Sequence, residues 1–493
     1  MESQPSPPIS LPYGFARRMG VILQRAPEGA VSCVYRGQPS LETLLELQRV
    51  AGGALVMSPA GDDEFQQVLQ RVYRDRASEA AEAAAQADTD LTLLADTAAG
   101  VDDLLDESDN SPVVRLINAL LLEAVKEGAS DIHVETQEKR VMVRFRVDGV
   151  LRDVLEPRRS LGPLLVSRIK VMARLDIAEK RLPHDGRVTL SVGGREIDVR
   201  VSTVPSQHCE RVVMRLLDRG VAQHDLTTLG MTDRDLATFE RMLRRPNGIL
   251  LVTGPTGSGK TTTLYAALSK LNDRTRNIMT VEDPIEYAVE GVGQIQVNPR
   301  TELTFARGLR AILRQDPDVI MVGEIRDAET AQIAVQASMT GHFVMSTLHT
   351  NSAIGSVTRL IDMGVERFLL APMLSGLVAQ RLVRRLCTEC AAPRPATEAD
   401  RHLLGGALDV GETLHRPVGC PACRGEGYRG RIAIYEIVEI DSALEAMIHE
   451  GAAEADLVRA ARSTAPSLIE DGAAKIRAGL TSVEEVARVA LDE

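Results

Sequence analysis

The octapeptide GPTGSGKT at residues 254–261 constrains the fold of this chain more than any other stretch. Ahead of it runs Ile249-Leu250-Leu251-Val252, an apolar segment long enough for a buried strand. Behind it, TTTLYAALSKL carries apolar residues at helical spacing. Strand, glycine loop and helix N-terminus in that order are what a phosphate-binding loop requires. Gly254, Gly257 and Gly259 let the backbone curl so that successive N–H groups face phosphate oxygens. The free N–H groups and positive dipole end of the following helix add to that anion site. Gly254, Pro255, Thr256, Gly257, Ser258, Gly259, Lys260, Thr261 and Thr262 are therefore the expected nucleotide-binding residues. Lys260 is expected to reach the β- and γ-phosphates, and the Thr261 hydroxyl to hold Mg²⁺.

Downstream segments supply the rest of such a core, which starts near Leu226. In IMTVEDPIEY, apolar Ile278 to Val281 lead into Glu282 and Asp283, an acidic pair at the C-terminal end of an expected parallel strand. DPDVIMVGEIRD, residues 316–327, contains a second apolar strand, Val319 to Val322. A usual second nucleotide motif ends that strand in Asp then Glu; here Gly323 stands at the Asp position and Glu324 remains. Glu324 is the expected residue for polarising an attacking water. The Mg²⁺ shell is then completed by water, Glu282 or Asp283. A further strand in TGHFVMSTLHTN, residues 340–351, is bracketed by His342 and His349, candidates for sensing the γ-phosphate.

At 493 residues the chain exceeds one core, and roughly three domains are expected. Residues 1–76 read as a small docking module with helices at 41–50 and 63–75 and a lone, buried Cys33. Residues 77–110 are rich in Ala, Asp and Glu and read as an acidic linker. Residues 111–220 read as an α+β domain. Its first helix presents Val113, Leu116, Ile117, Leu120, Leu121 and Ala124 on one face. The strand VMVRFRV at 141–147 follows, then a turn at Asp148-Gly149 and a second hairpin at Gly193-Gly194. Arg187, Arg200, Arg211 and Arg215 on those strands are candidates to reach a phosphate. Residues 226–493 hold the nucleotide core and end in a helical tail, with a cap signature at TSVEEVARVAL.

The net charge of −12 argues against a non-specific nucleic-acid binder. The longest apolar run, Phe368 to Val383, is interrupted by Pro372, Ser375, Gln380 and Arg381 and is no membrane span. MESQPSPPIS lacks the marks of a secretory signal, so a cytosolic location is expected. Cys387, Cys390, Cys420 and Cys423 form two CxxC pairs, the pattern of one tetrahedral Zn²⁺ site within an insert at 386–425. The 29 residues between the pairs exceed what a compact ribbon needs and predict a protruding loop.

GPTGSGKT, TVEDPIEY, DPDVIMVGEIRD and TGHFVMSTLHTN, in this order, resemble the four boxes of the bacterial ATPases of type II secretion and type IV pilus assembly. ASDIHVE at 129–135 and KRLPHDGR at 180–187 resemble the preceding domain of that family. The resemblance covers residues 111–493. The tetracysteine insert is similar to the type II secretion and pilus-extension branches, and LPYGFARRMGVIL near residue 11 resembles the start of the type II secretion member. The resemblance implies a RecA-like P-loop core preceded by a PAS-like α+β domain, and a homohexamer with ATP sites between those two domains. It implies that Arg200 and Arg215 complete the site, beside the catalytic candidates Lys260, Glu324, Glu282 and His342 that the motifs themselves supply. It also implies docking of residues 1–76 on the cytoplasmic domain of an inner-membrane partner, contact with a membrane platform protein, and a place peripheral to the inner membrane. ATP hydrolysis would then drive a pseudopilus for export of folded proteins. A pilus-extension ATPase is the nearest alternative, and a DNA-uptake or conjugation ATPase a more distant one. The Asp missing ahead of Glu324 is a trait of the family.

Overall fold

A computed structural model describes residues 112–192, 195–218 and 226–490 throughout, together with 19–25, 31–37, 55–61 and isolated positions near them. The expected acidic linker at 77–110, the helices at 41–50 and 63–75 as whole elements, and the glycine pair at 193–194 lie outside the described residues. Contacts divide the chain into two compact units. One runs to Met214; the other runs from Arg215 to Glu493 and takes in 128–132 and 145–152.

Near the N-terminus, β1 (Val21–Arg25), β2 (Val31–Tyr35) and β3 (Leu55–Pro59) form a three-stranded sheet. Val21, Ile22, Leu23, Leu47 and Phe65 pack around Cys33, which is fully buried as expected. Burial pushes its thiol up.

Helix α1 (Pro112–Lys126) buries all six predicted apolar residues. Six strands follow it: β4 (Ala129–Thr136), β5 (Val141–Val147), β6 (Val150–Leu155), β7 (His184–Val192), β8 (Arg195–Val204) and β9 (Arg211–Asp218). They form one sheet of order β6-β5-β4-β9-β8-β7, with α2 (Leu161–Met172) between β6 and β7 in the chain. Asp148 and Gly149, both at positive φ, make the tight turn from β5 to β6. The hairpin of β7 and β8 pairs His184 with Thr203 through to Val192 with Arg195, as its sequence predicts. Strand periodicity puts alternate residues of β4 on one face. Asp131 there holds Arg215 at 2.9 Å, and Glu135 holds Arg144 at 2.7 Å and Arg211 at 2.8 Å. The arginines flanking the ASDIHVE segment are thus balanced by its own carboxylates.

The larger unit is built on a seven-stranded sheet. Helix α3 (Asp233–Leu243) leads into β10 (Gly248–Thr253), and α4 (Lys260–Leu271) follows it. Next come β11 (Ile278–Glu282), β12 (Val292–Gln296), α5 (Phe305–Ile312), β13 (Val319–Val322), α6 (Ala328–Met339), β14 (Phe343–Leu348) and β15 (Leu374–Leu386). The short ribbon β16 (Ala392–Pro395) and β17 (Thr413–Arg416) precedes β18 (Tyr428–Glu439). The strand order is β12-β11-β13-β14-β10-β15-β18. All neighbours are parallel except β15 and β18. Helices cover both faces, so the central strands are apolar throughout, as buried parallel strands are. Leu250 and Val252 of β10 face a cluster with Leu264 and Leu268 of α4, while Ile249 and Leu251 face Leu309 of α5 and Ala334 of α6.

The segment between the cysteine pairs does not protrude as expected. Ala396, Leu404, Leu408 and Leu414 are buried and join the main core of the unit. Four apolar side chains at that spacing have a core to enter, and burying each large one is worth about 1.5–3 kcal/mol. Arg394 and Asp400 close the insert with a bidentate pair at 2.6 and 2.7 Å. At the tail, the Ser482 hydroxyl accepts from the Glu485 N–H as the cap signature predicts, but the Glu485 carboxylate turns instead to Arg384 at 2.7 Å. Among the described residues no helix is long and apolar enough to cross a membrane.

Candidate functional site

In an open parallel sheet, ligands bind beyond the carboxyl ends of the strands. Thr253 ends β10, and residues 254–259 curl into α4, whose first residue is Lys260. Gly254 sits at φ +147° and Gly259 at φ +87°, conformations that side-chain-bearing residues rarely adopt. Pro255, Thr256 and Gly257 are exposed on the lip, as is Thr261 at the first turn of α4, while Thr262 is half-buried. Ser258 is 3% exposed and its hydroxyl has no partner. A buried orphan hydroxyl beside free helix N–H groups fits the phosphate the loop was predicted to hold.

Lys260 is 8% exposed and folds inward, donating to the carbonyls of Gly254 at 2.7 Å and Pro255 at 3.0 Å. Burial pushes its ammonium down to about 8; the charge of Glu324 opposes that shift and that of Arg381 adds to it. A buried ammonium resting on backbone carbonyls exchanges these weak partners for phosphate oxygens at little cost.

Glu324 stands just beyond β13, next but one to β10 in the sheet, with β14 between. Its carboxylate is held at 2.5 Å by Arg326 on one oxygen and lies 3.4 Å from the Nε2 atom of His349 on the other. Burial alone would raise this carboxyl, but Arg326 and His349 outweigh it and hold it below the usual carboxylate range. Glu324 is therefore an ionised acceptor at neutral pH, suited to orienting a water.

His342 and Glu282 are not delivered to this cluster. His342 precedes β14, at the opposite strand end from the phosphate loop, because Phe343 pairs with Gly248 and Leu348 with Thr253. Six residues of strand separate the two ends by roughly 20 Å. Its Nδ1 lies 2.8 Å from the Ala337 carbonyl and 3.1 Å from the Thr340 hydroxyl, at the end of α6. Glu282 is 3% exposed and faces α4. There its carboxylate accepts from the Tyr265 hydroxyl, from the Thr280 hydroxyl at 2.5 Å and from Gln294 at 3.1 Å. Burial and the Glu282 charge push the Tyr265 phenol up, so it remains a donor. Asp283, one residue on, is half-exposed and lies 3.7 Å from Arg326.

Arg200 stands on β8 opposite Arg187, which pairs with Asp198 at 2.6 Å. Arg215, more than half exposed on β9, is held by Asp131. Two residues that motif reading passed over are close to the loop. Gln380 and Arg381, taken in sequence only as interruptions of an apolar run, are buried immediately behind it.

The four thiols of Cys387, Cys390, Cys420 and Cys423 lie within 4.8 Å of one another. Sulfur separations are 3.8 Å for 387–420, 3.7 Å for 390–423 and 3.7 Å for 420–423. A tetrahedron with metal–sulfur bonds of about 2.3 Å has edges of about 3.8 Å. Backbone N–H groups of Gly419, Cys420 and Gly427 point at Sγ of Cys390 and Cys423, at 3.1–3.3 Å, as donors to thiolates do. The site could hold a metal ion.

A loop of this kind, with an ionised glutamate two strands away on the same sheet end, defines a RecA-like P-loop ATP hydrolase. Comparison with known proteins agrees and narrows the class. The family described as Type II/IV secretion system protein matches residues 106–488, and a domain family of GSPII protein E matches residues 10–73. The chain is 56% identical over 491 residues to type II secretion system protein E of Pseudomonas aeruginosa, covering 99% of this chain and 97% of that one. It is 54% identical over 483 residues to type II secretion system ATPase E of Vibrio cholerae, covering 97% and 96%. Among solved structures, the pilus retraction motor PilT with bound ADP is similar at TM-score 0.53 and 26% identity, over 76% of this chain and 96% of that one. DotB of Legionella pneumophila shares the fold at TM-score 0.58 and 21% identity, over 77% and 96%. This chain belongs to the type II/IV secretion ATPase family, in its type II secretion protein E branch.

Proposed function

We propose that this ATPase works as a homohexamer at the inner face of the inner membrane. Residues 1–76 dock on the cytoplasmic domain of a type II secretion membrane protein, and hydrolysis is coupled through a platform protein to pseudopilus assembly. The observation that carries the catalytic part is the ionised Glu324, clasped by Arg326 and His349 at the strand ends that carry the phosphate loop.

Lys260, released from the carbonyls of Gly254 and Pro255, takes the β- and γ-phosphates, with loop N–H groups and the Ser258 hydroxyl completing the cradle. The exposed Thr261 hydroxyl is the residue that would hold a Mg²⁺ ion, which would supply charge neutralisation at the phosphates. Glu324 accepts from a water and orients it for in-line attack on the γ-phosphorus. His349 takes up the γ-phosphate side of Glu324, while Arg200 and Arg215 neutralise developing charge. Freed from Asp131, Arg215 has the reach of a long exposed side chain. Zn²⁺ is the metal that best suits the four thiols, and it would fasten the two ends of the insert together.

Replacing the chromosomal copy with Lys260→Ala in the source bacterium tests the whole reading. Cargo of the type II pathway is expected to accumulate in the periplasm. Normal export with that variant would overturn it.

A further inference from the structure

The pairing of β10 with β15 ends with Thr253 opposite Ala379. The next two residues of β15, Gln380 and Arg381, therefore come level with the start of the phosphate loop. They are 2% and 5% exposed. The Gln380 carboxamide accepts from the Thr263 hydroxyl of α4 at 2.7 Å. A methyl group added at Gly259 would stand 2.8 Å from Gln380 Nε2, and one at Gly254 would stand 2.5 Å from the Gln380 carbonyl and 3.1 Å from Arg381 Nη1. Glycine is thus required at Gly254 for space as well as for φ, and at Gly259 for φ, with the Gln380 amide lying against it.

Arg381 reaches the other way. Its Nη2 donates to the Asn351 carbonyl at 2.8 Å and its Nη1 to the Gln380 carbonyl at 3.2 Å. Thr253, at the end of β10, accepts from the Thr350 N–H at 2.9 Å and meets the Thr350 hydroxyl at 2.7 Å. The segment 350–351 is thereby strapped to the strands that carry the phosphate loop. His349, one residue earlier, lies against Glu324.

We propose that Gln380 and Arg381 are positioning residues for ATP hydrolysis: Gln380 sets the curvature of the phosphate loop, and Arg381 sets the segment that brings His349 to Glu324. A planar guanidinium can serve two carbonyls in fixed directions, whereas a lysine ammonium is a single point on a flexible stem. Arg381→Lys keeps the charge and loses the brace. Gln380→Asn keeps the amide and withdraws it from Thr263 and Gly259.

The inference rests on the assignment of Glu324 and His349 to hydrolysis, so Glu324→Gln is measured alongside. Turnover and binding of a non-hydrolysable ATP analogue are measured on full-length protein, with rates expressed per folded molecule. Misplacing a reacting group by about 1 Å costs on the order of 10²-fold in rate. Arg381→Lys is expected to lower kcat by about that factor while analogue affinity stays within about threefold. Gln380→Asn is expected to weaken analogue binding by about tenfold, the loss of uniform phosphate contacts. A purely structural role would lower the melting temperature and leave both parameters unchanged, which overturns the proposal. Should Arg381→Lys fail to fold, Thr253→Val removes the hydroxyl that holds residue 350, from outside β15, and is expected to show the same kcat loss; wild-type turnover there overturns the proposal. Wild-type turnover in Glu324→Gln would instead dismiss the underlying site assignment.

Discussion

Replacing Glu282 separates an anchor from a catalytic acid, and the structure supplies the size of the effect. The carboxylate is 3% exposed, beside Tyr265 at 1% and Thr280 at 0%. Glu282→Ala strands two buried donors, the Tyr265 and Thr280 hydroxyls, whereas the Gln294 amide keeps the Tyr287 carbonyl at 3.1 Å. Each unsatisfied buried donor costs about 1–3 kcal/mol, so the alanine variant is expected to lose about 2 kcal/mol at the lower bound. In Glu282→Gln the one amide oxygen can still serve Thr280 and Gln294, which share a carboxylate oxygen, while the amide nitrogen then faces the Tyr265 hydroxyl, a loss of about 1–3 kcal/mol. Removing a general base typically costs about 10²–10⁴ in rate, so Glu324→Gln should fall by at least ~10²-fold while Glu282→Gln stays within about tenfold of wild type. The assay is steady-state turnover at saturating Mg-ATP, paired with urea unfolding of each variant. A Glu282→Gln protein as stable as wild type yet as inactive as Glu324→Gln would refute the anchor assignment.

Lys260 titrates near pH 8 before nucleotide arrives, and a bound triphosphate favours its ammonium, so ATP binding at pH 8 is expected to take up about half a proton. Calorimetry in buffers of different ionisation enthalpy measures that uptake, which should vanish near about pH 6, and affinity should decline as pH rises beyond about 8. Elemental analysis is expected to find one zinc per chain, lost in Cys390→Ser. Because Leu404, Leu408 and Leu414 also anchor the insert, that variant should loosen the segment 386–425 in hydrogen exchange while the seven-stranded sheet stays protected. Glu485→Ala leaves the guanidinium of Arg384 with its main partner removed in a largely buried place, and the expected destabilisation in urea unfolding is about 3–5 kcal/mol.

Strand, glycine loop and helix were legible at residues 249–271 because the local pattern and the local structure coincide. The Asp148-Gly149 turn, the apolar face of α1 and the four thiols were legible for the same reason. The places where reading failed are those that depend on distant partners. Which of His342 and His349 meets Glu324 follows from strand direction in the assembled sheet, since the two bracket the same strand symmetrically in sequence. Glu282 shares a face with Thr280, and only the packing of α4 on that face turns its carboxylate toward Tyr265. Gln380 and Arg381 are more than a hundred residues from the loop they back, and polar residues within an apolar strand carry no motif. Their signal was their position late in a long apolar run, where a parallel strand meets its ligand end. The burial of the insert was written in its leucines, which outweigh the length of the loop that carries them.

Turnover and ATP affinity of purified Glu324→Gln beside wild type test most directly whether Glu324 orients the water attacking ATP bound at Lys260. ATP binding is expected within about threefold of wild type and turnover lower by at least ~10²-fold, the signature of an interaction used in the transition state. Turnover within about tenfold of wild type, with binding intact, would contradict that role.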